Sequence, residues 1–199
     1  MFSPDLLLET DKIILRILKN EDSPALQKLT GTAEQWEFFT ANLADPKELK
    51  IWLDEAMQQY RALLRIPFVI IDKENNQIIG CTSYGNIYLK DQRLEIGWTW
   101  LGKNFQGKGF NPHMKFLMLR HAFESLGFER VEFKTDVLNR ASRKALTKIG
   151  AVEEGVLRSH TLMQNIRRRD TIYYSILKNE WDVVKKNIFS KVEGLDFII

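Results

Sequence analysis

A β-rich apolar run, Leu94-Glu95-Ile96-Gly97-Trp98-Thr99-Trp100-Leu101, is followed four residues later by Gln106-Gly107-Lys108-Gly109-Phe110-Asn111. Helical patterning then runs from Met114 to Leu126. A strand therefore feeds a glycine turn, and the turn opens a helix. Glycines let a backbone approach a ligand with no Cβ in the way. The first turn of a helix leaves N–H groups unpaired and carries partial positive charge, and both favour a phosphate. Lys108 adds a cation. The six residues read as a pyrophosphate cradle or as an ordinary glycine turn, and short glycine motifs match by chance too often to decide alone. A Walker loop would need a hydroxyl after the lysine, where Gly109 stands. A dinucleotide fingerprint would need a third glycine, and Phe110-Asn111-Pro112 follow instead.

The 199 residues, 44% hydrophobic and 28% charged, suit one globular domain over 1–199. No apolar run reaches the ~18 residues of a membrane span, and no basic-then-apolar leader is evident. Cys81 is the only cysteine, which excludes an intrachain disulfide and points to a reducing cytoplasm. Its apolar surroundings predict a buried, inert thiol. A net charge of +3 gives little support to nucleic-acid binding. The cluster Arg167-Arg168-Arg169 reads as a solvated hairpin tip or, alternatively, as a site for an anionic group. The three histidines are scattered without ligand spacing, so no metal is expected.

Periodicity predicts a strand over 13–17, then a short helix capped by Asp22 or Ser23 with Pro24 in its first turn. An irregular aromatic stretch (Trp36, Phe38, Phe39) precedes a helix over 46–64. Strands follow over 68–72, 78–87 and 93–101. The helix over 112–126 is apolar nearly all round and should be buried, with Asn111 as its N-cap. A strand over 131–135, a helix over 141–149 capped by Asn139, a hairpin of 152–162 with 171–177, and a helix over 180–192 complete the order. A strand–helix–strand unit at the centre of antiparallel strands implies an α/β mixed sheet with helices on both faces.

Taken together, the motifs resemble the GNAT superfamily of acyl-CoA-dependent N-acyltransferases. Gln106-Gly107-Lys108-Gly109 resembles that family's coenzyme A loop, Asn139-Arg140-Ala141-Ser142 its next helix start, and Lys148-Ile149-Gly150-Ala151 the end of that helix. Leu94-Glu95-Ile96-Gly97-Trp98 and Glu180-Trp181 are similar to the branch that acetylates N-termini of ribosomal proteins. Asn111 departs from the family's usual Gly or Ala, and Pro112 from its Thr or Ser.

The resemblance implies acetyl-CoA as cosubstrate and an amine acceptor, either a protein N-terminus or a small amine; a non-catalytic acyl-CoA-binding module is the remaining alternative. It implies coenzyme contacts at Trp100, Leu101, Gln106, Gly107, Lys108, Gly109, Phe110, Asn111 and Asn139. Ser142 becomes the candidate proton donor to the departing thiolate. Glu95, on a central strand beside the loop, is the candidate base or amine-orienting group. Trp36, Phe39, Trp52 and His160 are candidates for the acceptor pocket, core packing being the competing role for such aromatics. Tyr173 or Tyr174 could also donate a proton. A homodimer is common in the branch resembled.

Overall fold

The computed structural model describes residues 2–193. Eight strands form one sheet in the order β1-β2-β3-β4-β5-β6-β8-β7. They are β1 Leu7–Glu9, β2 Ile13–Ile17, β3 Arg65–Asp72, β4 Gln77–Tyr88, β5 Arg93–Leu101, β6 Arg130–Asp136, β7 Val152–Leu162 and β8 Arg168–Leu177. Only β5 and β6 pair in parallel; every other neighbour is antiparallel. The helix between them is α3, Phe110–Arg120, so β5-α3-β6 is the crossover unit that the sequence predicts. The other helices are α1 Ser23–Gln27, α2 Pro46–Arg61, α4 Arg140–Lys148, α5 Lys178–Ile188 and α6 Ser190–Glu193.

Strand alternation divides the sheet between two cores. Phe68 and Ile70 of β3 join a cluster with α3, α5 and α6 through Met114, Phe116, Leu117, Trp181 and Phe189. Val69 and Ile71, one residue out of step, join Trp36, Leu49, Trp52 and Leu53 on the side of α1 and α2. Helices thus cover both faces. Cys81 lies in the second core, where burial pushes its thiol well above the ordinary value.

Local chemistry sets the element ends. Asp45 caps α2 by accepting from the Lys47 N–H at 2.8 Å, with Pro46 in the first turn, where its missing N–H costs nothing. Leu63, at φ 56°, turns the chain out of α2 earlier than the apolar spacing predicts. Beyond α3 the chain widens into a π-helical turn, His121–Ser125, before Gly127 at φ 72° ends it. The edge strand β1 is an addition to the predicted order, because three residues carry too little alternation to read.

Candidate active site

Between β5 and β6 the ladder runs through Arg93↔Arg130, Leu94↔Val131 and Glu95↔Glu132, and there it stops. Both strands continue, to Leu101 and Asp136, without pairing to each other. A bulge in β5 accompanies the divergence. On the other side of β5, Cys81 pairs with Trp100 but Ser83 with Gly97, so Trp98 and Thr99 together oppose Thr82. Trp98 takes φ 51°, an uncommon conformation for a bulky residue that costs of order 1–3 kcal/mol. Its ring packs against Gly85, where a Cβ would stand 2.3 Å from a ring carbon. Bulges bend their strand and increase its twist, and here the bend carries β5 away from β6.

The gap is a cavity of about 370 Å³. Glu95, Gly97, Trp98 and Thr99 line it from β5, Phe133, Lys134 and Thr135 from β6, and Asn139, Ser142 and Leu146 from the α4 region. Phe39, Trp52, Lys115, Thr161 and Arg169 also reach it. Glu95 is 4% exposed. Its Oε2 accepts from Asn86 Nδ2 at 2.7 Å and stands 2.9 Å from Lys134 Nζ. Oε1 folds back over Gly97, where a Cβ would be only 2.7 Å away. The glycine therefore makes room for the carboxylate.

On α4, the Ser142 N–H donates to the Asn139 side-chain oxygen at 2.9 Å. Asn139 is thus the helix cap, as its position predicts, and the Ser142 hydroxyl is not the capping group. The three arginines of β8 and its turn separate rather than forming one solvated tip. Arg167 pairs with the buried Asp136, Arg168 is exposed and donates to Ser159, and Arg169 is buried against the cavity with Nε donating to Thr171 Oγ1 at 2.9 Å. Burial lowers the Arg169 pKa, with Asp136 opposing.

Lys115 is a site residue that the sequence reading missed. It sits in α3 with 5% exposure, lines the cavity, and holds Nζ 5.1 Å from the centre of the Phe133 ring. Desolvation pulls its pKa down to about 7, with Glu95 opposing. The available signal was a lysine flanked by apolar residues, Met114 and Phe116, in the middle of a helix.

The glycine turn lies at the far end of β5. Gly107 and Gly109 have φ of 74° and 82°, the left-handed region that other residues occupy only with strain. A Cβ on Gly107 would meet nothing within 4 Å, so this turn faces open space. Gly109 occupies the N-cap position of α3. Asn111 is consequently in the first turn and is not the cap, while Pro112 remains within the first turn, where it is tolerated. Lys12 Nζ donates to the Lys108 carbonyl at 2.7 Å and adds a cation next to the turn. A second cavity of about 420 Å³ is lined by Leu101, Gly107, Gly109, Phe110 and Asn111 opposite Ala145, Lys148 and Ile149. The α4 region and β5 therefore border both cavities.

Several candidate residues lie elsewhere. Trp36 is fully buried, donates to the Thr30 carbonyl at 2.7 Å and packs edge-on against Phe39 and Trp100. Trp36 and Trp100 line neither cavity; both belong to the core between the sheet and α2. Gln106 is exposed and folds back to donate to the Leu101 carbonyl at 3.0 Å, and Lys108 is exposed beside the turn. His160 is exposed on β7, 3.1 Å from Thr171 Oγ1, while its neighbour Thr161 faces the cavity. Tyr174 donates to Glu153 at 2.9 Å, and neither it nor Tyr173 lines the cavity. Among the described residues no cluster of three or more His, Cys, Asp or Glu could hold a metal, and no helix is long and apolar enough to cross a membrane.

A split parallel pair beside a helix opened by glycines is the frame in which an acyl-transfer family model finds its match. The model of the acetyltransferase (GNAT) domain matches residues 12–152, and the chain belongs to this family: it is a GNAT N-acetyltransferase. Among curated relatives it is 32% identical to YdaF of Bacillus subtilis (strain 168), provisionally named a ribosomal N-acetyltransferase, over 86% of this chain and 94% of that protein. A crystal structure described as an acetyltransferase of T. thermophilus is 31% identical, covers 96% of this chain and 100% of its own, and superposes with a TM-score of 0.84. A GCN5-related N-acetyltransferase from Brucella melitensis shares the fold at a TM-score of 0.87 and 23% identity, over 96% of this chain and 86% of its own.

Proposed function

We propose that residues 1–199 form one cytoplasmic catalytic domain that transfers an acetyl group from acetyl-CoA to a protein N-terminal α-amine. The observation that carries this reading is the charge of the cavity. One carboxylate, Glu95, faces two cationic side chains, Lys134 and Arg169, and a third basic group, Lys115, that is partly charged near neutral pH. An attacking amine must be neutral. With a pKa near 8, about a tenth of an α-amine is neutral at pH 7; for a lysine side chain near 10.4 the fraction is below ~0.001. Surrounding positive charge lowers an amine's pKa further and repels polycationic acceptors. Such a cavity favours the acceptor that arrives nearly neutral, and the ribosomal N-acetyltransferase name of the YdaF relative supports a protein acceptor.

The residues present fit a coenzyme A thioester. Gly107 leaves open space at the opening of α3, whose first N–H groups suit a pyrophosphate, and Lys12, Lys108 and Lys148 stand near. Acetyl-CoA supplies the activated acyl group. Glu95 Oε1 orients the amine and accepts its proton, while Lys134 and Asn86 hold Oε2. Main-chain N–H groups of the Trp98 bulge stabilise charge on the acyl oxygen. The Ser142 hydroxyl donates the proton that the departing sulfur requires, and Asn139 contacts the coenzyme arm.

The test is release of free coenzyme A across peptides of varied N-termini and a library of small amines. Turnover on peptides, abolished by N-terminal blocking, is the expected result. Turnover on small amines alone would move the acceptor class, and binding without turnover on any amine would leave a coenzyme-binding module in place of an enzyme.

A further inference from the structure

We propose that Lys115 is a self-acetylation site, its Nζ taking the acetyl group from acetyl-CoA bound in the enzyme's own cleft when no acceptor is present. This rests on the reading of acetyl-CoA as the occupant of the cleft. Two lysines line the cavity. Lys134 is held at 2.9 Å by Glu95. Lys115, on α3, has no carboxylate within ion-pair distance among the described residues, and its nearest cation-binding partner is the face of Phe133. It is therefore the unpaired amine of an acetyl-transfer site.

Its position favours the coenzyme side. Phe133 and Leu146 pack in the same core as α3, and Ser142 precedes Leu146 by one turn on α4. Lys115 and Ser142, the residue assigned to the departing sulfur, line the same cavity, in which Lys134 is engaged by Glu95 and Lys115 is not. The charged groups facing the cavity are Glu95 from β5, Lys134 from β6 and Arg169 from β8; α2 and the α4 region contribute none. Burial holds the Lys115 pKa at about 7, so near neutral pH about half of the amine carries a free lone pair. Against an exposed lysine near 10.4, the nucleophilic form is enriched roughly a thousand-fold.

The step balances without a further reagent. The Nζ lone pair forms the C–N bond to the thioester carbonyl carbon, the C–S bond breaks, and its electron pair leaves on sulfur. The proton shed by Nζ ends on that thiolate. The products are Nε-acetyl-Lys115 and free coenzyme A. The acetamide cannot be charged and occupies space in the cavity, so enzyme left with acetyl-CoA alone switches itself off.

The experiment incubates the full chain with acetyl-CoA and no acceptor between pH 6 and 9. Intact mass and peptide mapping follow the modification, and calorimetry on the same protein measures acetyl-CoA binding. The expected result is one acetyl group per chain on Lys115, at a rate at least ~10-fold above that of exposed lysines such as Lys47 and Lys90. The rate should rise through pH 7 and level off above 8, and Lys115→Arg should abolish the modification. Tight acetyl-CoA binding with Lys115 unmodified, or modified no faster than Lys47, overturns this inference and leaves the proposed function standing. Failure of acetyl-CoA to bind overturns both.

Discussion

Lys134 Nζ stands 2.9 Å from Glu95 Oε2, an ion pair that spans the two strands just where their ladder ends. It separates the roles of the two carboxylate oxygens. Glu95→Gln keeps the shape and the Asn86 contact but loses the basicity and the attraction for Lys134. Its kcat should fall by ~10²-fold or more, with acetyl-CoA affinity nearly unchanged and partial recovery at high pH, where the amine deprotonates unaided. Steady-state kinetics against pH check this; full activity of the Gln variant across neutral pH would make Glu95 a structural residue.

Removing the cation instead should act on stability. Lys134→Met leaves the buried Glu95 with Asn86 as its remaining hydrogen-bond partner, and a loss of roughly 1–3 kcal/mol is expected in urea unfolding. A variant as stable as the parent would show that the pair breaks even against its desolvation.

At the glycine turn, Gly107→Asp and Gly109→Asp place a side chain and a negative charge where the pyrophosphate is assigned. Acetyl-CoA affinity should weaken at least ~10-fold, since 1.4 kcal/mol is tenfold. Gly107→Ala is the informative control. Its Cβ meets nothing within 4 Å, so it carries the left-handed strain without the charge. If calorimetry finds all three variants binding normally, the coenzyme is held elsewhere.

On α4 the cap and the hydroxyl can be separated. Ser142→Ala retains the backbone N–H that Asn139 holds, so the fold should be intact while kcat falls more than KM for acetyl-CoA rises. Asn139→Ala removes the cap and should cost ~1 kcal/mol in thermal unfolding. Equal kcat in Ser142→Ala and the parent would reduce Ser142 to a helix residue.

Lys115 makes a distinctive prediction for stability against pH. Its folded pKa is about 7, against 10.5 for an unperturbed lysine. Between those values the unfolded chain holds a proton that the folded chain has released, so stability rises as pH climbs from about 7 to 10.5. Below 7 the full penalty of burying the ammonium applies. Lys115→Met should stabilise the protein at pH 7 by roughly 1–4 kcal/mol and remove that slope. Chemical denaturation at pH 7 and pH 10 measures both.

The strand and helix order was legible because long elements carry strong periodicity and clear ends, as at Asp45-Pro46, Asn139 and Gly150. The glycine turn was legible because glycine at Gly107 and Gly109 records a backbone need, a positive φ, that the structure shows directly. What escaped depends on partners distant in sequence. Nothing local distinguishes Trp36, which ended in the core, from Trp52, which reaches the cavity; the sheet decides by which core each helix face meets. The Trp98 bulge depends on Gly85, thirteen residues upstream. Strand alternation turned Arg168 outward and Arg169 inward to the cavity, while the buried Asp136 pairs with Arg167.

The backbone ladder joins β5 to β6 through only three residue pairs. The sheet thus consists of two antiparallel parts, β1 to β5 and β6 to β8, whose backbones pair along one short seam, with α3 connecting them and one core packed across both. A molecule lying in the fork and bonded to both strands would act as a brace. Part of its binding free energy would then be stored as stiffness across the sheet, to be read as slower amide exchange in β7 and β8, strands it need not touch.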